Sequence, residues 1–228
     1  MGLLRAIVMT LGLMALSAAA SPGDPRMGTE YQLLAAPQPV EAAGAKVEVI
    51  EFFMYHCPYC NALEPELAAW VKRQGERIAF RRVHIPYSGA NDPEAHLFLT
   101  LDAMGKLDAM HAKVLHAVHG ERQRLMKDDA IVDWVGRNGI DKAEFLAVWN
   151  SFGVTTRLKR LPRTIGDYGV DSAPMIVVNG RYRTSPAMAG AGAPAGGDAM
   201  AQTVQVLDVL VAKAAKENQA KAAATAQQ

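Results

Sequence analysis

The sequence predicts an α/β fold in which a block of helices separates two groups of strands. A run of β-branched and aromatic residues at 47–53 (VEVIEFF) leads into a helical apolar pattern, and a second strand-like run follows at 78–85. Helical apolar spacing then dominates residues 91–168, and strand-like runs return at 175–184. A chain of 228 residues is long enough for one such domain with a helical insertion.

The first strand, 47–53, is apolar on both faces, which predicts that it is buried on both sides of a sheet. A helix is predicted to begin at Cys57, because Pro58 suits the first helical position, where its missing N–H costs nothing. Apolar residues then recur at helical spacing as far as Val71. Pro65 lies inside this helix and is expected to kink it.

Five helices are predicted between residues 91 and 168. Asp92-Pro93 can cap the first of them, and residues 141–144 have the form of a capping box at the start of the fourth. The fifth is expected to cover 155–165, with an interruption near Pro162. The block is long enough to form a subdomain of its own.

The last part of the sequence returns to strands. Residues 175–178 (MIVV) predict a buried strand, Asn179-Gly180 is a strong signal for a type I′ hairpin, and residues 181–184 are expected to pair back. A loop of small residues is expected at 187–197, followed by an amphipathic helix at 199–216.

The order β-α-β, helical block, β-β-α is the layout of a thioredoxin fold with an inserted all-helical subdomain, and this is the α/β fold class we predict. The segment before it is expected to hold one short strand, near residues 31–34. The predicted organisation is a signal peptide (1–20), an N-terminal arm (21–44), the first part of the thioredoxin-like domain (45–90), the inserted helical subdomain (91–168), the second part of the thioredoxin-like domain (169–216) and a disordered tail (217–228).

The N-terminus has the features of an export signal. Arg5 supplies a positive start, residues 7–16 (IVMTLGLMAL) form a short apolar core, and Ala18 and Ala20 make an A-x-A-like cleavage site. The apolar core is too short for a comfortable membrane span. We therefore expect an exported protein, with an uncleaved membrane anchor as the alternative interpretation.

The charge balance gives no reason to expect a nucleic-acid partner. The formal net charge is +1, whereas strong duplex binders carry a basic excess or a basic stripe. Low net charge also suits a protein that meets many different protein partners.

The two cysteines, Cys57 and Cys60, carry the strongest chemical signal. Cysteines of exported proteins usually form structural disulfides, but a bridge across three residues closes too small a loop to stabilise a fold much. The pair is therefore expected either to do redox chemistry or to bind a metal.

In the redox interpretation, Cys57 is the exposed nucleophile, because a helix N-terminus stabilises a thiolate. Cys60, one helical turn on, is placed to resolve a mixed disulfide. Pro58 is expected to stiffen the turn between the cysteines, and Tyr59 to contact the sulfur region of Cys57.

The metal interpretation is the weaker one. Structural zinc sites need four ligands, often two Cys pairs or a Cys pair with a His pair, and this chain has one Cys pair. His56 and His84 are expected near the cysteines, but no paired histidine follows at ligand spacing. Three histidines of the helical block are expected to be solvated or partly buried at the surface; they are His111, His116 and His119. We expect no metal site and no cofactor.

Several runs of the sequence resemble the DsbA family of bacterial periplasmic disulfide oxidases. They are 51–60 (EFFMYHCPYC), 145–152 (FLAVWNSF), 173–174 (AP) and 179–182 (NGRY). The resemblance extends over about residues 45–215 and includes the helical block. It implies a periplasmic location and a disulfide-donating activity.

The resemblance also implies roles for individual residues. Cys57 would be the sulfur that is attacked and that attacks. Pro174 would be a cis-proline packed against the CxxC, and Ala173 would offer backbone hydrogen bonds to a substrate peptide. By sequence alone, Pro174 would more often be an ordinary trans proline at a strand start; with the resemblance we expect cis.

Glu51 shares a strand face with Val49 and Phe53 and is expected to lie beneath the cysteines. A carboxyl group there could exchange protons with Cys60. The alternative is a strand glutamate whose tip reaches solvent. Arg82 is expected to pair with Glu51; because the family often has a lysine there and arginine keeps its proton, a relay through that position is in doubt.

Two departures from the family pattern leave the redox potential open. Tyr59 stands where the family usually has histidine, and Ala173 stands where it often has valine. We place Pro58, Tyr59, His56 and Glu51 among the residues that tune the site.

The sequence thus predicts a periplasmic thiol:disulfide oxidoreductase that donates the Cys57–Cys60 disulfide to unfolded or folding exported proteins with free thiols. Reoxidation by a DsbB-like membrane quinone reductase, a monomeric state and a shallow apolar groove beside the CxxC are expected. The alternatives are a disulfide isomerase or reductase that uses the same cysteines, and a metal-handling thioredoxin-like binding protein.

Overall fold

A computed structural model describes residues 24–192 and 196–225; the predicted signal peptide lies outside them. The described residues form one five-stranded sheet with helices on both faces. The strands are β1 (Gln32–Leu33), β2 (Val47–Phe53), β3 (Ile78–His84), β4 (Met175–Val178) and β5 (Tyr182–Thr184). The helices are α1 (Pro58–Gln74), α2 (Pro93–Ala103), α3 (Leu107–His119), α4 (Asp128–Arg137), α5 (Lys142–Trp149), α6 (Phe152–Asp167), α7 (Pro186–Ala189) and α8 (Ala199–Thr225).

The sheet has the order β1-β5-β4-β2-β3. Strand β2 pairs in parallel with β3, with Val47 opposite Ile78, and antiparallel with β4, with Glu51 opposite Ile176. All seven residues of β2 are buried, as its two apolar faces predict. The predicted thioredoxin fold with a helical insertion is confirmed, with α2 to α6 inserted between β3 and β4.

Two apolar cores lie on opposite faces of the sheet. Ile50 and Phe52 of β2 pack into the core that the inserted helices share, whereas Val47 and Val49 pack into the core formed with α1 and α8. This division follows from the alternation of side chains along a strand. The CxxC helix and the helical block are therefore held by different faces of the same central strand.

The predicted hairpin between β4 and β5 is present. Asn179 and Gly180 both have positive φ, 53° and 59°, as a type I′ turn requires. A residue of the N-terminal arm also contacts the turn, because the Gln38 N–H donates to the Gly180 carbonyl at 2.8 Å. The short strand predicted near residues 31–34 is β1, which pairs with β5.

The predicted start of the fifth inserted helix, and its interruption near Pro162, were wrong. Helix α6 begins at Phe152, three residues earlier than expected, because the Ser151 side chain accepts a hydrogen bond from the Val154 N–H and caps it. The helix continues without interruption through Pro162. Helix α1 contains Pro65 within its span, as predicted, and the kink expected there stays a prediction.

The C-terminal third is more helical than expected. Residues 187–192, part of the segment 187–197 that was expected to be a loop, belong to α7 and a 3₁₀ turn, since the Ser185 hydroxyl caps α7 at the Met188 N–H. Helix α8 runs on to Thr225, so the disordered tail expected from 217 is wrong up to that residue.

Contacts with the hairpin explain why α8 extends so far. Glu217 accepts a hydrogen bond from the Tyr182 hydroxyl at 2.5 Å and forms an ion pair with Arg181. The side-chain amides of Asn218 and Asn179 bond to each other at 3.0 Å. These contacts hold the first part of the expected tail on the β4–β5 turn.

None of the helices described, α1 to α8, combines the length and apolar character that crossing a bilayer requires.

Candidate active site

The two cysteines lie at the start of α1, where β2 has just ended. Cys57 is the N-cap residue, and its Sγ accepts a hydrogen bond from the Cys60 N–H at 3.3 Å. Pro58 occupies the first helical position, as predicted. The cysteines are unbridged, with Cys60 one turn farther into the helix.

Cys57 is far less exposed than predicted. Its fractional exposure is 5%, against 2% for Cys60. The reason is the loop that precedes β4, since the carbonyl oxygen of Ala173 lies 3.5 Å from the Cys57 sulfur. A thiol partner therefore meets Cys57 beside this loop rather than on an open surface.

The two thiols have opposite acidities. The hydrogen bond from the Cys60 thiol is the main cause that lowers the pKa of Cys57 to about 6; burial opposes it, while backbone N–H groups of Cys60 and Tyr59 and the charge of His56 add to it. The same hydrogen bond, together with burial, raises the pKa of Cys60. Cys57 thus carries the negative charge, and Cys60 keeps the proton.

The peptide bond between Ala173 and Pro174 is cis, as the family resemblance led us to expect. An open groove with a volume of about 470 Å³ runs beside it. The exposed Tyr59 ring forms part of its wall. We call this the cis-proline groove; its lining includes Tyr59, Ala173, Pro174, Pro186, Ala187 and Met200.

Glu51 is buried beneath the cysteines on β2, at 1% exposure. Arg82 donates from Nε to Glu51 at 2.8 Å and from a terminal nitrogen to Glu64 at 2.8 Å. Burial raises the pKa of Glu51 to about 7, although Arg82 opposes the shift. The predicted pairing with Arg82 is confirmed, and the solvent-reaching alternative for Glu51 is wrong.

His111 and His119 are more involved in the structure than the sequence suggested. His111 is 3% exposed, and its Nε2 lies 3.4 Å from Oε2 of Glu64. His119 Nε2 lies 2.8 Å from the carbonyl oxygen of Tyr55. His116 is exposed and His119 is half-buried, so both match the expectation, whereas the burial of His111 contradicts it. The missed signal was helical spacing, since His111 falls on the apolar stripe of α3.

A further buried carboxylate, Glu94, was missed altogether. It lies in the first turn of α2, where acidic residues are common on exposed surfaces, so nothing in the sequence marks it as buried. Its Oε2 is 2.5 Å from Nδ1 of His56 and 3.9 Å from Nε2 of His84. The structure thus brings His56 and His84 together around a carboxylate that the sequence did not predict, and His56 directly precedes Cys57.

Within residues 24–192 and 196–225, no three His, Cys, Asp or Glu side chains are grouped so that they could hold a metal ion.

The chain matches a family model described as the DSBA-like thioredoxin domain over residues 48–208, which span both parts of the sheet and the helical block. The thiol:disulfide interchange protein DsbA of Burkholderia cepacia is 37% identical over 209 residues, which cover 92% of this chain and 95% of that protein.

Solved structures agree with this assignment. The crystal structure of Pseudomonas aeruginosa DsbA superposes with a TM-score of 0.76 at 31% identity and covers 89% of this chain and 100% of that one. Reduced DsbA1 from Neisseria meningitidis gives a TM-score of 0.71 at 26% identity, with 85% and 96% of the two chains covered. The chain therefore belongs to the DsbA-like thioredoxin family.

Proposed function

We propose that the chain is a thiol:disulfide oxidoreductase that donates a Cys57–Cys60 disulfide to exported proteins with free thiols. The observation that carries the proposal is the asymmetric placement of the pair: Cys57 caps α1 and its Sγ accepts a hydrogen bond from the Cys60 N–H at 3.3 Å, while Cys60 lies one turn farther into the helix. The pKa of Cys57 is accordingly lowered to about 6, and that of Cys60 is raised. This asymmetry occurs in a chain that is 37% identical to a thiol:disulfide interchange protein.

The exchange balances as follows. A substrate thiolate attacks the Cys57 sulfur of the oxidised enzyme, the S–S bond breaks, and Cys60 leaves with the electron pair and takes up a proton. A second substrate thiolate then attacks the substrate sulfur of the mixed disulfide, and Cys57 leaves as a thiolate. The substrate loses two electrons and gains a disulfide, while the enzyme becomes a dithiol.

The low pKa of Cys57 favours this direction. A leaving thiolate of low pKa departs faster, and a stabilised reduced form makes the oxidised form a stronger oxidant. Glu51, with its pKa raised to about 7, is suited to give a proton to Cys60 and to recover it. Pro58 stiffens the turn between the sulfurs, and the backbone N–H of Tyr59 helps to lower the pKa of Cys57.

The cis-proline groove serves as the substrate-binding surface. It is open and largely apolar, which suits unfolded chains of varied sequence better than one small ligand. In this proposal the backbone of Ala173 pairs with an extended substrate segment, and Pro174 holds that loop against Cys57.

The proposal places the protein in the periplasm as a monomer, exported by the segment 1–20. The thioredoxin-like domain comprises residues 45–90 and 169–216, and residues 91–168 form the inserted subdomain. A membrane quinone reductase of the DsbB type returns the dithiol to the disulfide, and no cofactor is required in the chain.

The equilibrium between the cysteine pair and glutathione tests the direction of the reaction. We expect a potential clearly more oxidising than that of thioredoxin, which is about −270 mV. A potential near the thioredoxin value would contradict the oxidase assignment and favour a reductase. Failure of the purified protein to exchange disulfides at all would contradict the oxidoreductase class itself.

A further inference from the structure

His56 and Glu94 form an ion pair at the edge of the cysteine site that the exchange steps do not use. Nδ1 of His56 lies 2.5 Å from Oε2 of Glu94; the histidine side chain is 27% exposed and the carboxylate 3%. His56 directly precedes Cys57, whereas Glu94 lies in the first turn of α2. The pair therefore joins the CxxC segment to the first helix of the helical block.

The negative groups around His56 favour its protonated form. The hydrogen bond with Glu94 is the main cause that raises the pKa of His56, and burial opposes it. Asp92, the N-cap of α2, and the Cys57 thiolate add further attraction. A buried carboxylate also requires a partner, because an unpaired buried charge is costly.

The other groups that face the pair do not compete for this role. His84 accepts a hydrogen bond from the Tyr55 N–H at Nε2, and burial lowers its pKa to about 3, so it stays neutral. Tyr87 packs beside the His56 ring, with the two ring centroids 5.0 Å apart. His56 is thus the group that carries the positive charge beside Glu94.

We propose that Glu94 is a positioning residue, which holds the imidazolium of His56 beside Cys57 so that this positive charge stabilises the Cys57 thiolate. The inference rests on the proposed function, in which Cys57 leaves as a thiolate. Neither Pro58 nor Tyr59 carries a positive charge, so the cation next to the nucleophile comes from outside the CxxC. Through Glu94, helix α2 would thus influence the reactivity of the cysteine pair.

Two opposite effects of Glu94 on the sulfur must be weighed. Its own charge repels the Cys57 thiolate, whereas its hold on the His56 proton supplies an attraction. We expect the attraction to win, because the imidazole belongs to the residue adjacent to Cys57 and Coulomb energies fall with distance. The sign of the change in a Glu94 variant separates the two effects.

The experiment is a double-mutant cycle on the full mature chain. Glu94→Gln, His56→Gln and the double variant are compared with the wild type. The thiolate absorbance of Cys57 is titrated against pH, and the equilibrium constant with glutathione is measured. The matched control is Glu66→Gln, which removes one negative charge from an exposed position of α1.

We expect Glu94→Gln to raise the pKa of Cys57 and to make the enzyme less oxidising by roughly threefold to tenfold in the glutathione equilibrium constant. A tenfold change corresponds to about 30 mV for this two-electron couple. His56→Gln is expected to shift both quantities in the same direction. In the His56→Gln background, Glu94→Gln should add no further rise, and Glu66→Gln should leave both quantities near their wild-type values.

An unchanged or lowered pKa of Cys57 in Glu94→Gln would overturn the inference. It would mean that Glu94 either has no effect on the Cys57 thiolate or repels it. Should that variant fail to fold, an unchanged Cys57 pKa in the partly exposed His56→Gln variant has the same consequence. These outcomes differ from failure of the proposed function, in which the wild type itself would exchange no disulfides.

Discussion

The two carboxylates that flank the cysteine pair occupy opposite surroundings. Glu51, on the sheet side with Glu64 and Arg82, is paired with a guanidinium, yet burial still raises its pKa to about 7. Glu94, on the helical side, is paired with the imidazole of His56 and raises the pKa of that ring. The sheet side thus holds an acid that changes protonation near neutral pH, and the helical side holds one that favours the protonated form of a neighbour.

The two cysteines divide their tasks along the same line. The charge of His56 contributes to the lowered pKa of Cys57, and the charge of Glu51 contributes to the raised pKa of Cys60. In this proposal, the helical block adds, through Glu94 and His56, to the anion stabilisation that the cysteine turn itself supplies, and the central strand handles the proton. Helix α1 lies between the two.

The largest effects should come from the sulfurs themselves. We expect Cys57→Ser to lose all disulfide exchange above the rate of buffer thiols, because the low-pKa sulfur is the one attacked. Cys60→Ser should instead accumulate mixed disulfides through Cys57, since no internal thiol can release the substrate. Mass spectrometry of each variant after incubation with an oxidised peptide measures both outcomes.

The two variants serve as controls for each other, because each removes one sulfur from the same turn. If Cys57→Ser traps substrate and Cys60→Ser does not, Cys60 is the nucleophile and the roles given to the two cysteines are reversed.

The next largest effect should come from the sheet side. Arg82→Met is expected to lower the free energy of unfolding by roughly 3 kcal/mol at about pH 8, because two buried carboxylates lose their cation. Without Arg82 the folded-state pKa of Glu51 rises further above its unfolded value, and the lowered pKa of Glu64 rises as well. Stability then returns as the pH falls, since the folded protein binds these protons more tightly. Urea unfolding at about pH 8 and about pH 5.5 measures the difference.

Arg160→Met, at an exposed position of α6, is the matched control and should change stability by less than about 0.5 kcal/mol. A loss in Arg82→Met that is equal at both pH values would show that packing of the arginine, rather than its charge, stabilises the sheet side.

The sheet side could be predicted from the sequence, and the helical side could not. Glu51 and Arg82 lie in neighbouring strands whose pairing follows from the β-α-β order, so their contact could be predicted before the structure was known. The alternation of a strand also places Glu51 under the helix that starts at Cys57. Local pattern and topology suffice for such contacts.

The contact between His56 and Glu94 depends on how α2 packs against the start of α1, and no local pattern reports that packing. Glu94 has the sequence environment of an exposed first-turn residue, yet it is buried. The exposure of Cys57 was mispredicted for a related reason, because the loop that covers it is 116 residues away in the chain. The start of α6 before Thr155 was missed because the Ser151 side chain caps that helix earlier. The extension of α8 past residue 216 was missed because contacts with the β4–β5 hairpin hold it.

The smallest effect should come from the groove, which lies outside the two charged sides. Tyr59 is 66% exposed and lines the cis-proline groove, so its ring offers apolar area to a bound chain. The ring is uncharged and therefore places no charge near the Cys57 sulfur. We expect Tyr59→Ser to raise the KM for an unfolded dithiol protein by about threefold, a loss of under about 1 kcal/mol of binding. The rate with glutathione, which does not need the groove, should stay within about twofold of the wild-type rate.

Phe152→Ser is the matched control, because Phe152 is an aromatic residue with 85% exposure at the start of α6. This variant should leave the KM for the protein substrate unchanged. If Tyr59→Ser slows glutathione and protein substrates alike, Tyr59 acts on the sulfur chemistry rather than on substrate binding. Tyr59 would then act on the reactivity of Cys57, as the His56–Glu94 pair is proposed to do. Substrate binding and charge stabilisation would not be separate in this site.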